Sequence, residues 1–531
     1  DAQNAMGGYA PHNLPVHLYL NGLYWGLYWV HERPDERFAA AYLGGNPDDY
    51  DILKHNKDRI VEGTNASYVA MFNAVSAAAP SNRLAVAADY LDVENFVDYV
   101  ILNFWAGNWD WSHQNWYATF NRVDPAGRWR FHSWDAEHVL ERSNETRQLD
   151  ANQAYSPTAM HQMLKADPEY VMFFADRVHR HFHNGGVLDP DQAWALYQTR
   201  LDQIDEALVA ESARWGDNQR ATPYTRDAEW AVEVARLQEM ILPGNDGVSR
   251  TSFVLAQLRA RNLYPDIEAP TVSHSGGIVE PNFQVSLGNP NGGGTIYYTL
   301  DGADPRPAGG GAPLGGTPQY SGPITITQTT LLRARVWDGS EWSAATEAQY
   351  LVGAASAATL AVTELNYNPY VPTEAEQAAG YTDPDAFEFV ELANVGSIDI
   401  DLTGVRFTAG ITFDFTGGAV TTLSPGQRVV VVKNSAAFQT RYPDFAGSIA
   451  GQYDGKLSND GEEIIVRDVL GGLIRDFTYD DAGRWPGRAD GKGSSLVVLN
   501  PSGDYNDPDN WYSSREYGGS PGAEGIGLFA D

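Results

Sequence analysis

Two short stretches hold residues whose types and spacing could do chemistry. The first is Gly107-Asn108-Trp109-Asp110-Trp111-Ser112-His113-Gln114-Asn115. The second is Phe131-His132-Ser133-Trp134-Asp135-Ala136-Glu137. Asp110 and Asn115 have the spacing D-x4-N, and Asp135 follows 25 residues after Asp110. A carboxylate and an amide at that spacing suit phosphoryl transfer. The carboxylate orients an acceptor hydroxyl and accepts its proton, and the amide oxygen helps bind a metal ion. A second carboxylate beyond a strand pair would hold Mg²⁺, a hard cation that takes oxygen ligands from one or two carboxylates plus phosphate oxygens. The bland alternative is a loop Asp and Asn capping local backbone. D-x4-N alone favours that alternative. The added strand pair and Trp134-Asp135-Ala136-Glu137 bring the two readings level.

These groups need elements to hold them. Val16 to Leu20 and Tyr24 to Val30 flank Asn21-Gly22, a hairpin signal. Asp92 to Asn103 reads as a helix capped by Asp92, with Phe96, Tyr99, Val100 and Asn103 on one face. Trp116 to Phe120 and Trp129 to Ser133 read as a strand pair joined by Asp124-Pro125-Ala126-Gly127. Helical patterns follow over Glu169 to His183, Pro190 to Arg214, Asp227 to Met240 and Arg250 to Arg261.

Beyond Tyr264-Pro265 the character changes. Eleven of the 15 Trp lie before that point. Gly and Thr then rise, and short alternating runs stand between turns, as in Thr295 to Leu300, Ile324 to Ile326 and Leu331 to Trp337. Residues 268–352 are expected to form a small all-β domain. Gly353 to Ala358 is a small-residue linker. Residues 359–500 alternate again, which predicts a second β-sandwich. The Gly-, Asp- and Ser-rich tail 501–531 is expected to be only partly ordered.

Composition bounds the partners. The chain has 531 residues and a formal net charge of −33, with 43% hydrophobic and 12% aromatic residues. That length predicts several domains. The acidity disfavours nucleic acid and anionic membrane. No apolar run is long enough to span a bilayer. Cysteine is absent, so disulfides, thiolate nucleophiles and Cys-ligated zinc are excluded. Zero Cys with strong acidity fits a bacterial exported protein. The start at Asp1, without Met or signal sequence, reads as a mature or truncated piece.

The first 265 residues resemble the CotH kinase family, the kin of spore-coat protein H. The matching residues are Leu18-Tyr19-Leu20-Asn21-Gly22-Leu23-Tyr24-Trp25-Gly26-Leu27-Tyr28, Glu32-Arg33-Pro34-Asp35 and Tyr50-Asp51-Ile52-Leu53-Lys54. Asp110 and Asn115, then Trp134-Asp135-Ala136-Glu137, follow in order. The resemblance implies an atypical protein-kinase-like α+β domain that uses ATP with Mg²⁺ (or Mn²⁺) to phosphorylate Ser/Thr of secreted or surface proteins. It makes Asp110 the catalytic base and Asp135 the metal ligand, with Asn115 assisting. Only Lys54, Lys57 and Lys165 precede residue 265 among lysines. Lys54 is the candidate phosphate-binding cation, with Glu32 or Glu137 as its partner; a solvated strand-end lysine is the competing reading. The family has further N-terminal sequence, so the nucleotide lobe within 1–265 is expected to be incomplete.

Ile296-Tyr297-Tyr298-Thr299-Leu300-Asp301-Gly302-Ala303-Asp304-Pro305, with Leu332-Arg333-Ala334-Arg335-Val336, resembles the chitobiase/β-hexosaminidase C-terminal domain, an Ig-like sandwich. Asp301 and Asp304 are candidate Ca²⁺ ligands there, although Asp-Gly in a turn is sufficient explanation. Thr363-Glu364-Leu365-Asn366-Tyr367-Asn368-Pro369 and Phe389-Val390-Glu391-Leu392-Ala393-Asn394 make 359–500 resemble a lamin-tail domain. The expectation is an α+β kinase-like domain followed by two all-β Ig-like sandwiches, secreted or at the cell surface. Its partners would be ATP and an exported or cell-surface protein acceptor. The alternatives are a non-catalytic surface or adhesion protein with a kinase-like scaffold, and a glycan-binding secreted protein, given the chitobiase-like module and the Trp density. Trp109, Trp111 and Trp116 could stack on a sugar or an adenine ring, though at this density they are more often core. His179 and His183, four apart on a helical pattern, lack a third metal ligand and read as structural.

Overall fold

The structure is a computed structural model, which describes residues 1–244 and 247–525. The chain divides into two compact units. The first comprises 1–275, 286–323 and 332–347; the second comprises 276–285, 324–331 and 348–531.

The first unit is built from α1 (Ala2–Ala5), β1 (Asn13–Leu20), β2 (Leu23–His31), α2 (Glu36–Leu43), β3 (Tyr50–Lys54), β4 (Asn56–Glu62), α3 (Ala66–Ala77), α4 (Arg83–Ala88) and α5 (Val93–Ala106). There follow β5 (Trp116–Asn121), β6 (Arg130–Ser133), α6 (Pro157–Leu164), α7 (Pro168–Phe182), α8 (Pro190–Ile204), α9 (Ala207–Trp215), α10 (Ala231–Ile241) and α11 (Arg250–Arg259). β1 and β2 form the expected antiparallel hairpin, closed by Asn21 and Gly22, both at positive φ. The strands β4-β3-β5-β6 form one antiparallel sheet in that order.

Helix α5 is the pivot. Asp92 caps it by accepting from the Asn95 N–H at 3.0 Å, and it ends at Gly107, φ 62°. Ten of its 14 residues are buried, so the core closes around nearly its whole circumference. Phe96, Tyr99 and Phe104 pack with Trp116, Phe131 and Phe174 from β5, β6 and α7. The one carboxylate this costs, buried Asp98, is paired with Arg177 and His181 of α7.

Pro190 to Arg214 was expected as one helix and is two. Asp205 N–H still bonds the Leu201 carbonyl, but its own carbonyl and carboxylate accept from Arg226, and Val209 N–H bonds Glu206 instead, so the ladder breaks there. The spacing showed no sign of α2, α3, α4 or α6.

The 268–352 segment is divided between the two units. In the first, Thr295–Thr299 pairs antiparallel with Arg333 to Trp337. This half is fixed to α7 by a fully buried guanidinium. Arg335 donates to both oxygens of Asp304 at 2.7 Å, to Asp176 at 2.7 and 2.5 Å, and to the Ser343 carbonyl. Arg306 adds a two-pronged pair with Glu169 of α7. In the second unit, Phe283–Val285 pairs antiparallel with Ile324–Ile326.

The remainder of the second unit is the second expected sandwich. Its six-stranded sheet runs Ser448–Gln452, Arg428–Val432, Phe389–Asn394, Leu360–Asn366, Leu496–Val498, Trp511–Ser513. Its five-stranded sheet runs Asp454–Gly455, Ile411–Asp414, Arg406–Ala409, Glu462–Arg467, Leu473–Tyr479. Val362, Leu392 and Val431 from one sheet share a core with Phe407, Val466 and Phe477 from the other.

The tail was expected to be only partly ordered, and much of it has defined structure. Residues 501–525 are folded, because Trp511–Ser513 is a sheet strand and Trp511 is buried in the core. Beyond it, Glu364 and Glu391 stand directly opposite each other in the register, and burial pushes both carboxyls up. Ser520 N–H and Oγ donate to Glu364 at 2.7 and 2.9 Å, and Gly522 N–H donates to Glu391 at 2.6 Å. Residues 526–531 of that expectation lie outside the described residues.

Candidate functional site

Asp110 and Asn115 sit on the turn between α5 and β5. Three contacts hold that turn. Gly107 leaves α5 in the left-handed conformation, and a Cβ there would come within 3.0 Å of Arg250. Trp111, wholly buried, wedges edge-on against Tyr99 and Phe104 of α5. Arg250 of α11, 1% exposed, donates to the carbonyls of Phe104 and Trp105 at the end of α5 and of Ser143 and Glu145 in the loop beyond β6. It satisfies carbonyls that a helix end would otherwise leave orphaned. Burial pushes its pKa down to about 10.

Asp110 is 1% exposed. Its Oδ2 accepts from Asn115 Nδ2 at 2.7 Å and Gln114 Nε2 at 3.2 Å. Its Oδ1 is buried without a hydrogen-bond partner. An orphaned carboxylate oxygen is the donor a cation needs. Asn115 Nδ2 also donates to the Asp135 carbonyl at 3.0 Å, and the Asn115 N–H donates to His55 Nδ1 at 2.7 Å. Asn115 therefore ties together the D-x4-N turn, the end of β3 and the segment after β6.

His55, Asn115 and Asp135 have φ of 65°, 61° and 52°. Left-handed backbone is costly outside glycine, least so for Asn, Asp and His, and its clustering marks strain held by the surrounding fold. His55 must accept at Nδ1, and burial with Lys54 and Arg59 nearby lowers its pKa to about 4, against the pull of Asp135 and Asp110. It is a neutral spacer between acidic and basic sides.

Asp135 follows β6 by one residue past Trp134, as expected, and is exposed. Among the described residues, the group whose ligand atoms lie within 4.8 Å of one another is Asp110, Glu137 and His138, and Asp135 is not part of it.

Lys54 stands opposite Tyr117 in the sheet. Its Nζ lies 5.1 Å from the Tyr117 ring centre and 5.0 Å from that of Trp134. Burial, then Arg59 and Arg33, lowers its pKa, with Asp135 opposing. Neither expected partner pairs with it. Glu32 is held by His12 Nδ1 at 3.0 Å and Tyr42 Oη at 2.7 Å, and Glu137 faces Asp110 and His138. Aromatic faces take the place of a carboxylate here.

The residues missed from sequence are His55, Arg59, His138 and Glu141. His55 and Arg59 adjoin the Lys54 run and carried no spacing signal. Arg33 stood inside the quoted Glu32-Arg33-Pro34-Asp35 motif without a role.

Other candidates are accounted for. Both His179 nitrogens are hydrogen-bonded, to Tyr264 and Thr346. Trp111 and Trp116 are buried in the core, out of reach of a sugar. Both Asp304 oxygens are taken by Arg335, and Asp301 caps its own turn at Ala303, so a Ca²⁺ ion would have to displace that guanidinium. Among the described residues, no helix is long and apolar enough to cross a membrane.

Comparison with known proteins adds the following. No curated protein matches the chain. A solved structure, a DUF4876 family protein from Bacteroides thetaiotaomicron, is similar over 44% of this chain and 91% of that one, at 10% identity and a TM-score of 0.20. Family models match three successive regions: CotH kinase protein over residues 2–242, chitobiase/beta-hexosaminidase C-terminal domain over 274–347, and Lamin Tail Domain over 354–481. The chain therefore combines, in order, a CotH kinase-like region, a chitobiase C-terminal-like region and a lamin-tail-like region.

Proposed function

We propose that the first unit transfers the γ-phosphoryl group of ATP to a Ser or Thr hydroxyl of an exported or cell-surface protein. The observation that carries this reading is Asp110: buried, aligned by Asn115 and Gln114, and left with one unpartnered oxygen. Asn115 and Gln114 fix the plane of the carboxylate. Oδ1 accepts the hydroxyl proton as the acceptor oxygen bonds to phosphorus and ADP leaves. Lys54, with Arg33 and Arg59 close enough to lower its pKa, supplies the positive side that an anionic triphosphate requires. Asn115 and Asp135 would hold the nucleotide's Mg²⁺ or Mn²⁺, which when bound neutralises charge on the phosphates. Secretion or surface display accords with the lamin-tail-like and chitobiase-like regions and the absence of Cys.

The test is Asp110→Asn, close to isosteric, in the full chain with radiolabelled ATP and a Ser-rich exported protein. Transfer should be lost while nucleotide affinity stays within about twofold of the wild type. A wild-type protein that binds no nucleotide and transfers no label would sink the proposal.

A second reading, a kinase-like scaffold without catalysis, is favoured by one observation. Lys54 has no carboxylate partner among the described residues. Nucleotide binding without metal dependence and without transfer would favour the scaffold.

A further inference from the structure

We propose that Asp110, Glu137 and His138 form a binding site for a first-row transition-metal dication, separate in donor chemistry from a magnesium–nucleotide site. Their ligand atoms lie within 4.8 Å of one another. Three acidic or imidazole groups at that distance do not by themselves make a site. Two further observations do.

The first is the orphaned Oδ1 of Asp110. The residue is 1% exposed, and its other oxygen already has two donors. A bare buried carboxylate oxygen is costly unless something positive meets it. Glu137 and His138 come to that carboxylate from the segment after β6, where Leu140 N–H is anchored on the Ala106 carbonyl at 2.7 Å.

The second is the arrangement behind the imidazole. His138 Nδ1 lies 2.6 Å from Glu141 Oε1. An ionised carboxylate only accepts, so Nδ1 carries the hydrogen, and in the neutral ring Nε2 is the nitrogen that offers a lone pair to a metal. Nε2 is the nitrogen on the Glu137 side, 3.9 Å from its Oε1. A carboxylate behind a histidine is the usual outer-shell support of a metal-ligating imidazole: it fixes the tautomer and raises ligand basicity. Trp109 packs against the ring, tilted by 41° at 4.4 Å between centres, and limits its rotation.

Two carboxylates and one imidazole nitrogen select against Mg²⁺, which prefers an all-oxygen octahedron, and suit Zn²⁺ or Mn²⁺. The expected order of affinity is Zn²⁺ above Mn²⁺ above Mg²⁺. The site shares Asp110 with the proposed transfer, so the test is run without nucleotide and the two can fail separately.

The experiment is calorimetric titration of the metal-free full chain with Zn²⁺, Mn²⁺ and Mg²⁺. His138→Ala and Glu137→Gln are compared with the wild type, and thermal melting in chelator checks that each variant is folded. One saturable Zn²⁺ site is expected, abolished in His138→Ala and Glu137→Gln. Glu141→Gln keeps all three ligands, acts only through His138, and should weaken Zn²⁺ by about 10–100-fold. Wild-type protein without a saturable Zn²⁺ site overturns the proposal. So does a site of equal affinity in folded His138→Ala, or one that prefers Mg²⁺.

Discussion

Arg250 offers the sharpest test of how the candidate site is held. Arg250→Met keeps the length of the side chain and removes the guanidinium. Four carbonyls lose a donor: Phe104, Trp105, Ser143 and Glu145. Phe104 keeps the Gly107 N–H, and the Ser143 carbonyl is near enough to solvent to recruit water. Trp105 and Glu145 are left buried and orphaned. At about 1–3 kcal/mol for each orphaned group, the loss is roughly 2–6 kcal/mol. Relief of a buried charge, whose pKa is already pushed down to about 10, offsets part of it. We expect a net loss of about 3 kcal/mol. That lowers the melting temperature of the first unit by roughly 6–12 °C. Arg250→Lys keeps one donor group of the four-way bridge and should fall about midway. Scanning calorimetry reads the shift, and hydrogen exchange should rise over residues 107–116. A change in melting temperature below about 2 °C for Arg250→Met would refute the reasoning that this side chain pins the turn.

Two further outcomes are expected. Burial pushes the Glu388 carboxyl up to about 7, and one of its oxygens is buried without a partner while the other takes the Tyr453 hydroxyl and the Leu457 N–H. A raised folded-state pKa means stability that is full below the ordinary carboxyl value of 4.5 and is lost as pH rises through about 7. Glu388→Gln should remove this residue's share of the dependence, worth up to about 3 kcal/mol, in melts of the second unit between pH 4.5 and 8, and leave the share carried by Glu364 and Glu391. Lys54→Met should weaken ATP by the worth of one charge-assisted contact, about 1.5–3 kcal/mol or roughly 10–100-fold, in equilibrium binding. Unchanged affinity removes Lys54 from the site.

What the sequence disclosed about the site follows from which signals are local. The strand pair around Asp124-Pro125-Ala126-Gly127 and the Asp92 cap are written in adjacent residues, and both are present. So is the position of Asp135 just past β6. The pairing of Lys54 was not legible, because the alternatives to a carboxylate are Tyr117, brought by strand register, and Trp134, 80 residues away. The left-handed backbone at His55, Asn115 and Asp135 is set by tertiary contacts and leaves no periodic trace. His138 gains meaning only from Glu141 behind it and Asp110 in front. At the other end of the chain, a Gly-, Asp- and Ser-rich composition suggested only partial order, and it gave no sign that the small residues fit beside Glu364 and Glu391.

That last contact has a bearing on how the chain is made. Leu360–Asn366 is an inner strand of its sheet, yet one of its two neighbours is Leu496–Val498, and Glu364 waits across 131 residues for Ser495 and 156 for Ser520. A ribosome adding about 5–20 residues per second delivers those partners some tens of seconds to several seconds after Glu364 has emerged. During that interval the strand offers an open edge, rich in Val and Leu, to any other nascent chain. Glu364 in its midst, and Glu391 opposite it on the neighbouring strand, are then solvated and charged, and they repel a second copy. Carboxylates that cost stability in the finished sheet thus act, before it closes, as guards against premature pairing between chains.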